Sequence, residues 1–388
     1  MLKGKYAAEV LAYAQAVADG TKPACREAIQ GCQRFLRMID GGEYEVRTRD
    51  ADFVIGIIEK TFKHRQGEDL TGKPLRGEPV KLEPWEKYIA YAMLIFYHMG
   101  TDSRVVKEAL IFVPRKSGKT LFLSSFAWAL GLLSRKSGSK IYVVAASLKQ
   151  AMETFDNWRY NVENVLYPNR KAANADGWRV LDNNMEHSVS IDELAGGSLD
   201  MQALAYSPDR LDSFNCNIAI ADEIHAYKDP RPYNRLKEAT KAYVNKLVVA
   251  ITTAGDDPTS FCAQRLRYCK GILDGSYKDD QYFVFICKAD QDENGDVDYL
   301  DPLEHEKANP NYGVTIKAED MMQAALQAQN DPQQRKEFLT RSLNIFVSSM
   351  RAYFNLDEFV KSNRTAEEKL GIRAEWPLDR KLDKLASL

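Results

Sequence analysis

The chain has 388 residues, 45% of them apolar and 28% charged, enough to bury one large core or two smaller ones. A formal net charge of −2 excludes a global basic field, so contact with nucleic acid has to come from a local patch or from a ring of subunits. The six cysteines (Cys25, Cys32, Cys216, Cys262, Cys269, Cys287) lack the tight pairing of a zinc site, and the longest apolar run, residues 121–133, falls short of the ~20 residues that span a bilayer, so a reduced, cytosolic chain without a membrane segment is expected.

In chain order, apolar positions over residues 6–39 recur at helical spacing and break at Gly20-Thr21-Lys22-Pro23, which predicts two helices and a turn. Residues 48–81 are polar and weakly periodic except around 53–62, so residues 1–80 read as a helical region with a connector. From Glu108 the pattern changes. Short apolar runs at 109–113, 140–146, 218–221 and 247–252 alternate with helical stretches, as in a largely parallel sheet covered on both faces. Residues 187–191 and 200–206 bracket Gly196-Gly197 and predict an antiparallel pair that extends the sheet edge. A strand over 282–287 leads into the acidic stretch Asp290 to Asp301, which has the carboxylate spacing of a calcium loop but a strand where a helix is needed, and so reads as a solvated turn. Helices follow around 318–329 and 332–340.

Val113-Pro114-Arg115-Lys116-Ser117-Gly118-Lys119-Thr120 joins a strand to a helix, the context of a phosphate-binding loop. Gly118 admits the backbone to the phosphates, Arg115, Lys116 and Ser117 complete the cradle, Lys119 reaches the β- and γ-phosphates, and the Thr120 hydroxyl serves Mg²⁺. Valine stands where the usual pattern begins with glycine. About a hundred residues on, the apolar run 218–221 ends in Asp222-Glu223. Asp222 at a strand end can hold Mg²⁺ beside Thr120, and Glu223 can orient and polarise the attacking water. The next run leads into Thr252-Thr253-Ala254-Gly255, where the Thr253 hydroxyl either senses the γ-phosphate or marks a plain strand exit.

Together these residues resemble the large terminase subunit of tailed bacteriophages. The loop without its first glycine is similar to that family's deviant Walker A, Asp222-Glu223-Ile224-His225-Ala226 to its Walker B, and Thr252-Thr253-Ala254-Gly255 to its coupling motif. Ala308-Asn309-Pro310-Asn311-Tyr312-Gly313 resembles its lid signature and Phe338-Leu339-Thr340 with Asn344 its exit helix; Tyr13-Ala14-Gln15-Ala16-Val17 through Gly20 and Ala24-Cys25 near the start also matches. Leu82-Glu83-Pro84-Trp85-Glu86 resembles its adenine-contacting segment, where glutamine usually follows the tryptophan; an ionised Glu86 only accepts hydrogen bonds, and Trp85 either stacks on the base or is a buried aromatic at a helix start.

The resemblance implies an α/β P-loop NTPase whose mostly parallel sheet is of the additional-strand (ASCE) type: an ATPase core over residues 81–285, a lid over 286–350 and a linker over 351–388. It implies ATP and Mg²⁺ as cofactors, with Glu223, Lys119, Arg115 and Arg210 as the catalytic set. Arg210, in the turn Ser207-Pro208-Asp209-Arg210-Leu211-Asp212, is either a cation offered to a neighbour's nucleotide or a surface arginine paired with Asp209 or Asp212. Double-stranded DNA, a portal protein, a small terminase subunit and further copies in a pentameric ring are the implied partners, in host cytoplasm with transient docking on a procapsid. The chain is expected to stop where the family's nuclease domain begins, so no nuclease activity is expected of it. A helicase-like translocase and a nucleotide-gated capsid assembly protein are the alternatives.

Overall fold

A computed structural model describes residues 2–184, 186–205 and 214–347. Helices α1 (Ala7–Ala18), α2 (Arg26–Asp40) and α3 (Arg49–Thr61) each bury one stripe: Val10, Ala14 and Val17; Ala28, Cys32 and Phe35; Val54, Ile55 and Ile58. A two-stranded ladder, β1 (Glu45–Val46) with β2 (Phe96–Tyr97), brackets α4 (Pro84–Leu94), which has ten of its eleven residues buried. Pro84 at its first turn and the reciprocal Glu83–Glu86 capping box start α4 at that point.

The main sheet has eight strands: β3 (Glu108–Phe112), β4 (Ser139–Ala145), β5 (Trp178–Asp182), β6 (His187–Ile191), β7 (Leu199–Ala205), β8 (Ile218–Asp222), β9 (Leu247–Thr252) and β10 (Tyr282–Ile286). They stand in the order β10-β3-β9-β8-β4-β7-β6-β5. The first six are mutually parallel; at one edge β6 runs antiparallel to them, and β5, antiparallel to β6, returns to their direction. Thus β9 separates β3, which feeds the phosphate loop, from β8, which carries the acidic pair, as the additional-strand arrangement requires. Every residue of β8, β9 and β10 is buried, because helices cover both faces. In chain order the covering helices are α5 (Lys119–Ser134), α6 (Leu148–Asn161), the short α7 (Arg170–Ala175), α8 (Arg231–Ala239) and α9 (Phe261–Leu273).

At the other edge α2 lies along β10. Arg34 Nη1 donates to the Tyr282 carbonyl at 2.9 Å and Cys25 Sγ to the Ile286 carbonyl at 3.2 Å. Between them Gly31 faces the Val284 carbonyl oxygen, which a Cβ there would meet at 3.5 Å, an ordinary contact distance. One hydrophobic core therefore runs from Tyr6 to Cys287, and the amino-terminal helices share it with the sheet. A second, smaller core holds Ala289, Ala308, Met321, Ala325, Ala328, Phe338 and Leu343. It belongs to α10 (Pro302–Ala308), α11 (Ala318–Asn330), α12 (Pro332–Glu337) and the wide helical turn Phe338–Ser342. No described helix is long and apolar enough to cross a membrane.

Candidate active site

The phosphate loop leaves β3 with the Val113 N–H still paired to the Thr252 carbonyl at 3.1 Å, then turns through Lys116 (φ 64°) and Gly118 (φ 77°). Left-handed backbone at Gly118 costs nothing only because no Cβ is present. Ser117 Oγ closes the turn on the Pro114 carbonyl at 3.0 Å, and α5 starts at Lys119. Lys119 is 7% exposed; its ammonium donates to the carbonyls of Val113 (3.4 Å) and Pro114 (3.2 Å) and stands 3.5 Å from Glu223 Oε1. Burial pulls its pKa down, while Glu223 and Asp222 oppose that pull. Thr120 is half-buried one position further along; the Arg115 and Lys116 residues are exposed, and the Arg115 amide donates to the Arg341 carbonyl at 3.0 Å.

Asp222 is the last residue of β8 and 6% exposed. Burial, reinforced by the neighbouring Glu223, raises its pKa to about 7. Glu223 takes left-handed backbone (φ 51°), a conformation that costs a non-glycine residue roughly 1 kcal/mol, and its amide donates to the Ile251 carbonyl at 2.8 Å. Burial would raise the Glu223 pKa too. The His225 hydrogen bond, the Lys119 ammonium and the Thr253 amide outweigh it and hold the group at about 2. Two adjacent carboxyls are thereby pushed apart, one permanently charged and one poised near neutrality. A carboxyl held that far below neutrality keeps its charge at the pH where a general base would have to take a proton.

Sequence reasoning did not single out His225 for a role. It lies on the short helical turn Ile224–Ala226, with Nδ1 3.1 Å from Glu223 Oε2, because Glu223 reverses the chain after β8. Thr253 touches Glu223 through its backbone N–H (3.3 Å), and its hydroxyl lies 3.4 Å from His225 Nδ1. Asn311 was legible only as part of a lid signature. Its Oδ1 accepts from Trp85 Nε1 at 2.7 Å and its Nδ2 donates to the Ser117 carbonyl at 3.2 Å, so it props the loop from behind.

Of the two readings of Trp85 the structure agrees with the buried aromatic at a helix start, and Glu86 departs from the adenine-contact expectation. Trp85 is 2% exposed, stacked on Phe285 (centroids 5.6 Å, planes 12°) and against Phe122, which leaves no face for a base. Glu86 accepts the Glu83 N–H at 2.8 Å, and burial raises its pKa to about 8, so near neutrality it is an uncharged acid and not the ionised acceptor the sequence suggests. A raised folded-state pKa means the folded chain holds the proton more tightly, so stability is fully present below the ordinary value of 4.5 and is lost as pH rises toward 8. Glu86→Gln keeps an acceptor for the Glu83 N–H and cannot ionise. It is expected to melt with wild type at pH 5 and above it by several degrees at pH 8, a gain on the order of 3 kcal/mol. Equal melting temperatures at both pH values would refute the buried neutral acid.

Arg210 lies outside the described residues. In the acidic segment, Asp292 Oδ1 accepts the amides of Asn294 and Asp296 and Asp301 caps α10, and among the described residues no group of three His, Cys, Asp or Glu side chains could hold a metal. Asp222, at the end of β8, and Thr120, in the first turn of α5, carry oxygens of the kind Mg²⁺ takes, an ion that uses one or two protein oxygens and completes its shell with phosphates and water. The left-handed loop, the α5 amino terminus and the Lys119 ammonium suit a polyphosphate.

Residues 84–271 match the family model of the terminase large subunit ATPase domain, and residues 276–365 match that of the terminase large subunit endonuclease domain. Between them the two matches span more than two thirds of the chain. The second overturns the expectation that the nuclease domain is missing and its activity not to be expected. That expectation looked for acidic strand ends beyond residue 350, whereas the match starts before β10 and takes in the helices around the second core. Protein YmfN of Escherichia coli K12 is 34% identical over 145 residues, 37% of this chain and 31% of that protein. The HK97 bacteriophage large terminase has the same fold, with a TM-score of 0.60 at 20% identity, covering 76% of this chain and 55% of that one. The chain thus spans about a third and about half of these two relatives.

Proposed function

Because the chain belongs to the terminase large subunit family, we propose that it is the Mg²⁺-dependent ATPase motor that drives double-stranded DNA into a procapsid. The observation that carries this reading is the meeting of Lys119, at the end of the loop after β3, with Glu223, at the end of β8, across the intervening β9. The loop from Arg115 to Gly118 holds the phosphates with Thr120. Lys119 leaves the Val113 and Pro114 carbonyls to bind the β- and γ-oxygens, and Glu223 presents its charge to the attacking water. Bound Mg²⁺, held by Thr120 and Asp222, would neutralise charge on those same oxygens.

Arg115, exposed within the loop, is the mobile cation on its own subunit's nucleotide, and Arg210 the one offered to a neighbour. The working form is a pentameric ring docked on the procapsid in host cytoplasm, with a portal protein and a small terminase subunit. Metal-dependent cutting of DNA belongs to the whole protein, and the endonuclease-model match supports its inclusion.

Steady-state hydrolysis with and without duplex DNA tests the reading. Mg²⁺-dependent phosphate release that duplex DNA accelerates, with no strand separation, is the expected result. Strand separation would favour a helicase-like translocase, and nucleotide binding without sustained turnover a nucleotide-gated assembly protein.

A further inference from the structure

The proton on His225 can be placed by its neighbours. Thr252 Oγ1 accepts from the His225 amide at 3.0 Å and spends its own hydrogen on the Thr253 carbonyl at 3.1 Å. His225 Nδ1 lies 3.1 Å from that same oxygen and 3.1 Å from Glu223 Oε2. Both are acceptors toward Nδ1, so Nδ1 carries the hydrogen. The two Glu223 oxygens then have separate duties. Oε2 is held by His225 Nδ1 and by the Thr253 amide, while Oε1 faces Lys119 at 3.5 Å.

When Lys119 moves onto a phosphate, Oε1 loses its partner in the loop and only the Oε2 contacts keep the carboxylate from swinging. We propose that His225 is a positioning residue for hydrolysis: its Nδ1–H pins Glu223 by Oε2 to the end of β9, so that Oε1 stays aimed at the attacking water once Lys119 has left it. The inference rests on the ATPase reading. The His225 side chain is 16% exposed, so these contacts are made largely out of solvent.

Asparagine places an amide N–H where His225 has Nδ1, glutamine places one where it has Nε2, and alanine offers none. With ATP and Mg²⁺, His225→Ala and His225→Gln are expected to lose about 10- to 100-fold in kcat while nucleotide affinity stays within about twofold, and His225→Asn to recover most of that loss. A side chain that only filled space would not separate asparagine from glutamine in this way. Wild-type turnover in His225→Ala, or an asparagine variant no better than alanine, overturns the inference. Affinity falling together with kcat does so too. Absence of hydrolysis by the wild-type chain would instead remove the ATPase reading, and the role of His225 with it.

Discussion

Replacing Lys119 with alanine is expected to cut ATP hydrolysis by ~10³-fold or more and to weaken nucleotide binding. Its ammonium is the buried cation of the loop, held between the Val113 and Pro114 carbonyls and Glu223. Arg115 and Lys116 are exposed and cannot bring a charge to the same place without dragging the loop, whose backbone is tied to Arg341 and Asn311. The loss should appear in phosphate release and, separately, in the affinity for a fluorescent nucleotide. Melting should change little, because Glu223 keeps the His225 and Thr253 hydrogen bonds. Unchanged turnover would withdraw the assignment of the loop.

Glu223→Gln should behave differently, losing ~10²- to 10³-fold in kcat while keeping ATP and Mg²⁺ bound. The amide preserves length and an oxygen for the Thr253 N–H, but it loses the charge that polarises water. It also releases Lys119 from its ion pair, leaving the ammonium freer to meet phosphates, so affinity should hold or rise. Titration of nucleotide into this variant decides the matter. A fall in affinity as deep as that of Lys119→Ala would mean the two residues do not divide binding from catalysis as described.

The chemistry that was legible in the sequence had punctuation around it. A strand, a glycine-containing turn and a helix frame Lys119, and an apolar run ends abruptly at Asp222-Glu223. The amphipathic helices α1 to α3 show their buried stripes at regular spacing, and the antiparallel β6–β7 pair is marked by its glycines. Helix α4 was legible only at its start, as a buried aromatic at a helix entry, because the rest is buried on every side and so has no period to read. The same burial turns Trp85 into a core residue and Glu86 into a neutral acid, states that depend on what surrounds them and not on their own letters. His225 and Asn311 act through contacts made by distant segments, which spacing along the chain cannot reveal. The endonuclease match escaped notice because it was sought beyond residue 350, as a repeat of the strand-and-acid pattern that had marked Asp222.

The contact of α2 with β10 bears on how copies of this protein avoid one another. A parallel strand at the rim of a sheet offers a row of main-chain acceptors on which a foreign strand can build, and such growth ends in aggregates. Arg34 and Cys25 occupy the first and last of those acceptors, and Gly31 of the same helix lies over the middle one. A chain shortened to start near residue 81 would retain every proposed nucleotide-binding group yet bare that rim, together with the face of Tyr88 that Tyr13 and Phe35 cover. Its failing would be colloidal before it was catalytic: a protein that turns over ATP when dilute and precipitates when concentrated.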